Sequence, residues 1–242
     1  ITEGDTDASD LSVSSFGGTI TDSAGGAAGA ASGDLGAVTV DGDAPDLASV
    51  AATDDTYGIG EQFSVTVTWD EAVVVVGTPT LTFSNSATAS YTSGTTTTAL
   101  VFTYTVAEGD TDSSDLSVSS YSGTITDSAG GAAAAASGDL GAVIIDGDTP
   151  DITGIAATDG DYSIGQTIDI TVTFDSAVDV TGTPQITLSN SQTVDYSTGT
   201  GTANLVFTYT VAAGHTESSD LEVSSIAANG GNIEDAADND FS

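Results

Sequence analysis

Asp41-Gly42-Asp43-Ala44-Pro45-Asp46 sets three carboxylates within one short turn, and the pattern returns as Asp146-Gly147-Asp148-Thr149-Pro150-Asp151. Carboxylates are the hard oxygen ligands that calcium takes, alongside backbone carbonyls and water. Gly lets the backbone approach an ion closely, and Pro stiffens the turn. Asp54 and Asp159, each just beyond the next short run of apolar residues, stand where they could complete such a shell. The same composition also makes an ordinary hydrophilic linker turn.

A second acidic loop, Asp110-Thr111-Asp112-Ser113-Ser114-Asp115, is matched earlier by Asp5, Asp7 and Asp10. It has the D-x-D opening of a calcium loop but lacks the Gly and the distal Glu of an EF-hand. In the last copy the positions are His215, Glu217 and Asp220, a weaker ligand set. An Asx-type turn that starts a strand fits the loop equally well. A third loop carries Asp22 and Asp127 and becomes Glu234-Asp235-Ala236-Ala237-Asp238-Asn239-Asp240 after the insertion Ala227-Ala228-Asn229. Metal loop and solvated loop both remain open for it.

Charge narrows the partners. The chain has no Lys or Arg against 36 Asp and Glu, a formal net charge of −36. Nucleic acid and anionic membrane surfaces are excluded, because both are held by cationic side chains. Self-repulsion on this scale is relieved only by salt or bound cations: a solvated surface in a saline medium is the plainer reading, and calcium, whose preferred ligand is the hard Asp oxygen, is the expected cofactor. There is no Cys, hence no disulfide framework and no thiolate site. No run of 18 apolar residues is present, so no membrane insertion is expected of this segment.

Catalysis finds little to work with. His215 is the one histidine, and its counterparts are Asp5 and Asp110. Asp70 and Glu71 are neighbours on an expected strand and point to opposite faces, so they cannot flank one glycosidic bond. Trp69 is expected in a core, with sugar stacking as the alternative. No enzyme is read here.

The elements that position these loops are strands. Phe63, Val65, Val67 and Trp69 alternate with polar residues, as do Leu100, Phe102, Tyr104 and Val106. A period of two, rich in β-branched and aromatic residues, marks strands buried on one face. Shorter strands are expected over 47–53, 73–76, 80–83, 88–92, 116–119 and 140–145. Gly58 to Gly60, Gly77-Thr78-Pro79, Ser93-Gly94 and Glu108-Gly109-Asp110 supply the turns. The Ala/Gly tracts 24–31 and 129–136 read as a loop or one helical turn leading into the closing strand, with a short helix as the alternative. Pro45 recurs as Pro150, Tyr57 as Tyr162 and Thr78-Pro79 as Thr183-Pro184, an offset of 105 residues. The expected fold class is all-β, tandem antiparallel β-sandwiches in a linear array. Residues 1–46 match the closing half of a repeat, 47–151 make a complete one, and 152–242 make one lacking its last strand. The segment reads as a window on a longer array.

Tyr57-Gly58-Ile59-Gly60, Val65 to Val73, Gly77-Thr78-Pro79 and Phe102 to Asp110 resemble repeats of giant bacterial surface proteins. Ile125-Thr126-Asp127-Ser128-Ala129-Gly130 and Asp146-Gly147-Asp148-Thr149-Pro150 are similar to the ends of immunoglobulin-like and cadherin-like adhesin domains. The resemblance spans essentially the whole chain; the lack of Lys and Arg departs from the family. It implies tandem Ig-like domains, secreted and set on a bacterial cell surface or in a filament, often stiffened by calcium at domain junctions. The expected function is therefore a structural repeat that self-associates into a filament or array. The alternative is an adhesin module gripping a glycan or surface receptor through its loops.

Overall fold

The computed structural model describes residues 32–241 throughout and, before them, residues 8, 11–15, 17–21, 23–25, 27 and 29. Asp5, Asp7, Asp10 and Asp22 lie outside the described residues, as do parts of the first Ala/Gly tract.

The described chain is all-β, built of several antiparallel sheets without a helix. A short pair, β1 (Ser12–Val13) and β2 (Gly33–Asp34), comes first. Then follow β3 (Leu47–Ala51), β4 (Asp55–Tyr57), β5 (Gln62–Phe83), β6 (Thr88–Ser93), β7 (Thr97–Thr105), β8 (Ser117–Thr126), β9 (Gly138–Asp139) and β10 (Val143–Ile145). A six-stranded sheet runs β6-β7-β5-β8-β9, with β3 also on β5, and β10 pairs in parallel with β4. The remaining strands are β11 (Ile152–Ala157), β12 (Thr167–Thr181), β13 (Gln185–Leu188), β14 (Thr193–Thr198), β15 (Thr202–Thr210), β16 (Val223–Ala227) and β17 (Asn232–Glu234). They form a seven-stranded sheet in the order β11-β12-β15-β14-β13-β16, with β17 on β12.

Alternation does what it implies. Phe63, Val65 and Val67 on β5 lie opposite Tyr104, Phe102 and Leu100 on β7, Trp69 lies opposite Leu47 on β3, and all four β5 residues are buried. They belong to one apolar cluster drawn from residues 57–145, and a second cluster draws on 168–233. Trp69 is 1 % exposed and meets Tyr121 edge-to-face at 6.4 Å, so it offers no face to a sugar.

One expected turn differs. Gly77-Thr78-Pro79 lies inside the continuous strand β5, where the register against β8 shifts between Val76 and Thr80. Gly77 absorbs the bulge at φ +79°, and Gly123 at φ +102° leaves room for the Pro79 ring. In the later copy Gly182-Thr183-Pro184 does separate two strands, β12 and β13. The Ala129 to Ala136 tract has no helix, and Ala133 and Ala136 are buried in the first core.

Leu140, Val143 and Ile145 close the first core. The corresponding face of the second is an open groove of about 1360 Å³ lined in part by Ile155, Ile164, Ile168, Tyr209 and Leu221. Ile164 is 69 % exposed there.

Candidate metal centre

With no cationic side chains, backbone N–H groups become the main partners of the carboxylates. Asp70 Oδ1 accepts the Asp46 N–H at 2.9 Å, and Asp175 Oδ1 accepts the Asp151 N–H at 3.0 Å. Asp54 Oδ1 accepts the Ala142 N–H at 3.0 Å, and Asp112 Oδ1 accepts the Gly147 N–H at 2.8 Å. Each such bond occupies one oxygen of its carboxylate.

Asp127 is different. It is 3 % exposed, at the end of β8. Its Oδ1 accepts three N–H bonds, from Ala129 at 2.7 Å, Gly130 at 2.6 Å and Gly131 at 2.9 Å. Its Oδ2 is buried with no hydrogen-bond partner. Among the described residues, Trp69 Nε1 is the other buried side-chain polar atom left so. A buried oxygen without a partner costs about 1–3 kcal/mol, and more when charged.

The local folding explains why the oxygen sits there. Asp127 turns the chain back at the end of β8, and its N–H bonds to the Gly131 carbonyl at 2.9 Å. The following segment is tied to the Asp41–Asp46 turn by the Ala134 N–H on the Pro45 carbonyl at 2.8 Å. Glu71, on β5 two residues after the buried Trp69, reaches the same place. Asp41, Glu71 and Asp127 each bring one carboxylate oxygen to within 4.8 Å of the others.

That spacing has a chemical meaning. Oxygens that share one calcium at about 2.4 Å can stand no more than about 4.8 Å apart, so the group needs little adjustment to hold one. Without a cation, two like charges at that separation repel by about 3 kcal/mol at an effective dielectric of 20. The strain falls on Glu71. Its carboxyl is pushed above its ordinary 4.5, first by burial and then by Asp127, Asp41, Asp70 and Asp43.

A pH dependence follows. Because the folded state holds this proton more tightly than the unfolded chain, stability without metal falls as pH rises through the raised value. It is regained as pH drops toward 4.5. In chelator, lowering the pH from about 7 to about 5 should raise the melting temperature, and Glu71→Gln should flatten that slope. A slope indifferent to Glu71→Gln would remove Glu71 from the centre.

The sequence-expected residues divide. Asp41 is in the cluster. Asp43 is exposed but turns its backbone carbonyl toward Gly131, where a Cβ would lie 3.4 Å from that oxygen. Asp46, Asp148, Asp151, Asp115 and Asp159 are exposed, and Asp159 borders the open groove. Asp146 is half-buried, and its carboxyl is raised, chiefly by burial, with Asp235, Asp112 and Asp148 adding to it and the Asp148 N–H opposing.

Asp110 serves a turn. Its Oδ2 accepts the Tyr104 hydroxyl and, at 2.7 Å, the Ala107 N–H. Burial, then the Asp110 bond and charge, push the Tyr104 phenol well above its ordinary value. In the later copy His215 Nδ1 takes both roles, 2.7 Å from the Tyr209 hydroxyl and 3.2 Å from Ala212 N. A nitrogen that replaces the carboxylate so closely marks both residues as turn anchors.

Sequence reasoning left Glu71 out of the ligand set and gave Asp127 no definite role. Glu71 carries no local signal, since its neighbours in the cluster lie far away along the chain. The repeat of Ile-Thr-Asp at 20–22 and 125–127 was the available pointer to Asp127. No family model, curated protein or solved structure matches the chain. Function therefore rests on the site and the repeat.

Proposed function

We propose that the chain is a structural repeat of an extracellular filament or giant bacterial cell-surface protein. Its units are tandem Ig-like β-sandwiches, divided at 1–46, 47–151 and 152–242, and calcium stiffens the acidic junctions between them. The observation that carries this reading is the buried, unpartnered Asp127 Oδ2 beside Asp41 and Glu71. Asp41 belongs to the turn that leads into β3, so an ion held there ties that turn to the body of the next unit.

Self-association follows the same repeat logic. Asp34-Leu35-Gly36-Ala37-Val38 repeats Asp139-Leu140-Gly141-Ala142-Val143, whose apolar side chains close the first core. Leu35 and Val38 are 48 % and 39 % exposed, and the open groove of the second core suits such a strand from a neighbouring copy, by exchange.

Small-angle scattering of the whole chain tests the stiffening. Calcium should narrow the spread of end-to-end dimensions, and EDTA should broaden it. A profile that EDTA leaves unchanged would take calcium out of the account.

A further inference from the structure

The second junction is built on the same oxygens but closed differently. Asp235 is the counterpart of Asp127 once the three-residue insertion Ala227-Ala228-Asn229 is allowed for. The hydrogen bonds agree: Asp127 N–H bonds to Gly131 O at 2.9 Å, and Asp235 N–H to Asn239 O at 3.1 Å. The next residues pair alike, Thr126 with Ala132 and Glu234 with Asp240. Asn239 therefore stands where the first junction has Gly131.

A side chain at that point changes the cage. Asn239 Nδ2 donates to Asp235 Oδ2 at 3.1 Å, to the Asp148 carbonyl at 3.0 Å and to the Asp146 carbonyl at 3.3 Å. By repeat position these acceptors are Asp127 Oδ2, Asp43 O and Asp41 O of the first junction. There, a Cβ on Gly131 would overlap Asp127 Oδ2 and lie beside Asp43 O, so the Asp127 carboxylate fills the space that a side chain at this position would need. Asn239 Oδ1 meanwhile accepts the Ile59 N–H at 2.6 Å, drawing the Gly58–Gly60 turn onto the junction. The amide orientation is fixed by chemistry, because three acceptors face one end and a donor faces the other. The third acid is also gone, since Ser176 occupies the position of Glu71.

We propose that Asn239 is an internal substitute for the cation, locking the second junction without metal while the Asp41–Glu71–Asp127 junction depends on it. An amide with two N–H donors satisfies the oxygens that an ion would otherwise neutralise, and fewer carboxylates there leave less charge to balance. This rests on the calcium reading above and adds that the two junctions answer differently to chelation.

Calcium titration calorimetry and amide exchange of the intact chain test it together. The wild type should show a calcium site that Asp127→Asn abolishes. Ile59 N–H exchange should stay slow in EDTA, while exchange at Ala129 to Gly131 should rise about tenfold as their acceptor loosens. The pair Ser176→Glu with Asn239→Gly should add one calcium site, which Asp235→Asn removes. Loss of Ile59 protection in EDTA would overturn the substitute and leave the calcium reading standing. A stably folded double variant that gains no site would do the same. If the wild type shows no Asp127-dependent site, the calcium reading itself fails, and the substitute with it.

Discussion

Calcium at about a hundred times its dissociation constant should stabilise the wild-type protein by about 2.7 kcal/mol, and Asp127→Asn should abolish the gain. For a cooperative body of about 100 residues that corresponds to a rise in melting temperature on the order of 10 °C. The reason is local. Asp127 Oδ2 has no partner, and Asp41 and Glu71 add like charge within 4.8 Å. An ion turns that repulsion into ligation, whereas Asn at position 127 removes a charge and places an amide donor beside the two remaining acids. The variant should accordingly melt higher than wild type in EDTA and lower than wild type in calcium. Parallel curves for the two proteins, with and without calcium, would remove Asp127 as a ligand.

Trp69→Ala should lower the stability of the first core by about 3–5 kcal/mol and leave the transition of the other core nearly in place. Trp69 is fully enclosed by the first cluster, and the second cluster draws on a separate set of side chains beginning at Ile168. Differential scanning calorimetry should show two transitions, only one of them displaced. A single transition that moves as a whole would mean the two cores unfold as one cooperative body.

The strands were open to reading because their alternation is strict. Polar Ser64, Thr66 and Thr68 between Phe63, Val65, Val67 and Trp69 allow only one face to be buried. The continuity of β5 was hidden because Gly77-Thr78-Pro79 has turn chemistry in both copies. What decides between bulge and break is the partner strand, where Gly123 admits Pro79. The acidic loops were visible as loops, and their separate tasks were not. Asp110 and Asp54 each have one oxygen that accepts protein hydrogens, from Tyr104 and Ala107 in one case and from Ala142 in the other, partners the acidic pattern does not announce. Glu71 and Asp127 meet Asp41 only through the pairing of β5 with β8 and the packing of the Asp41–Asp46 turn. Spacing along a chain does not disclose such a meeting.

The His215 exchange carries the same lesson in reverse. The change from Asp110 to His215 preserves a hydrogen-bond geometry, since the imidazole meets the Tyr209 hydroxyl at 2.7 Å. Asn239 likewise reads as one polar residue in an acidic run, and its four contacts tie it to Ile59, Asp146, Asp148 and Asp235.

The most direct measurement is an anomalous difference map from crystals grown with calcium. The account predicts a peak bonded to one oxygen each of Asp41, Glu71 and Asp127 at about 2.4 Å, and none at Asn239. A water, or an empty space, beside Asp127 Oδ2 at saturating calcium would contradict it.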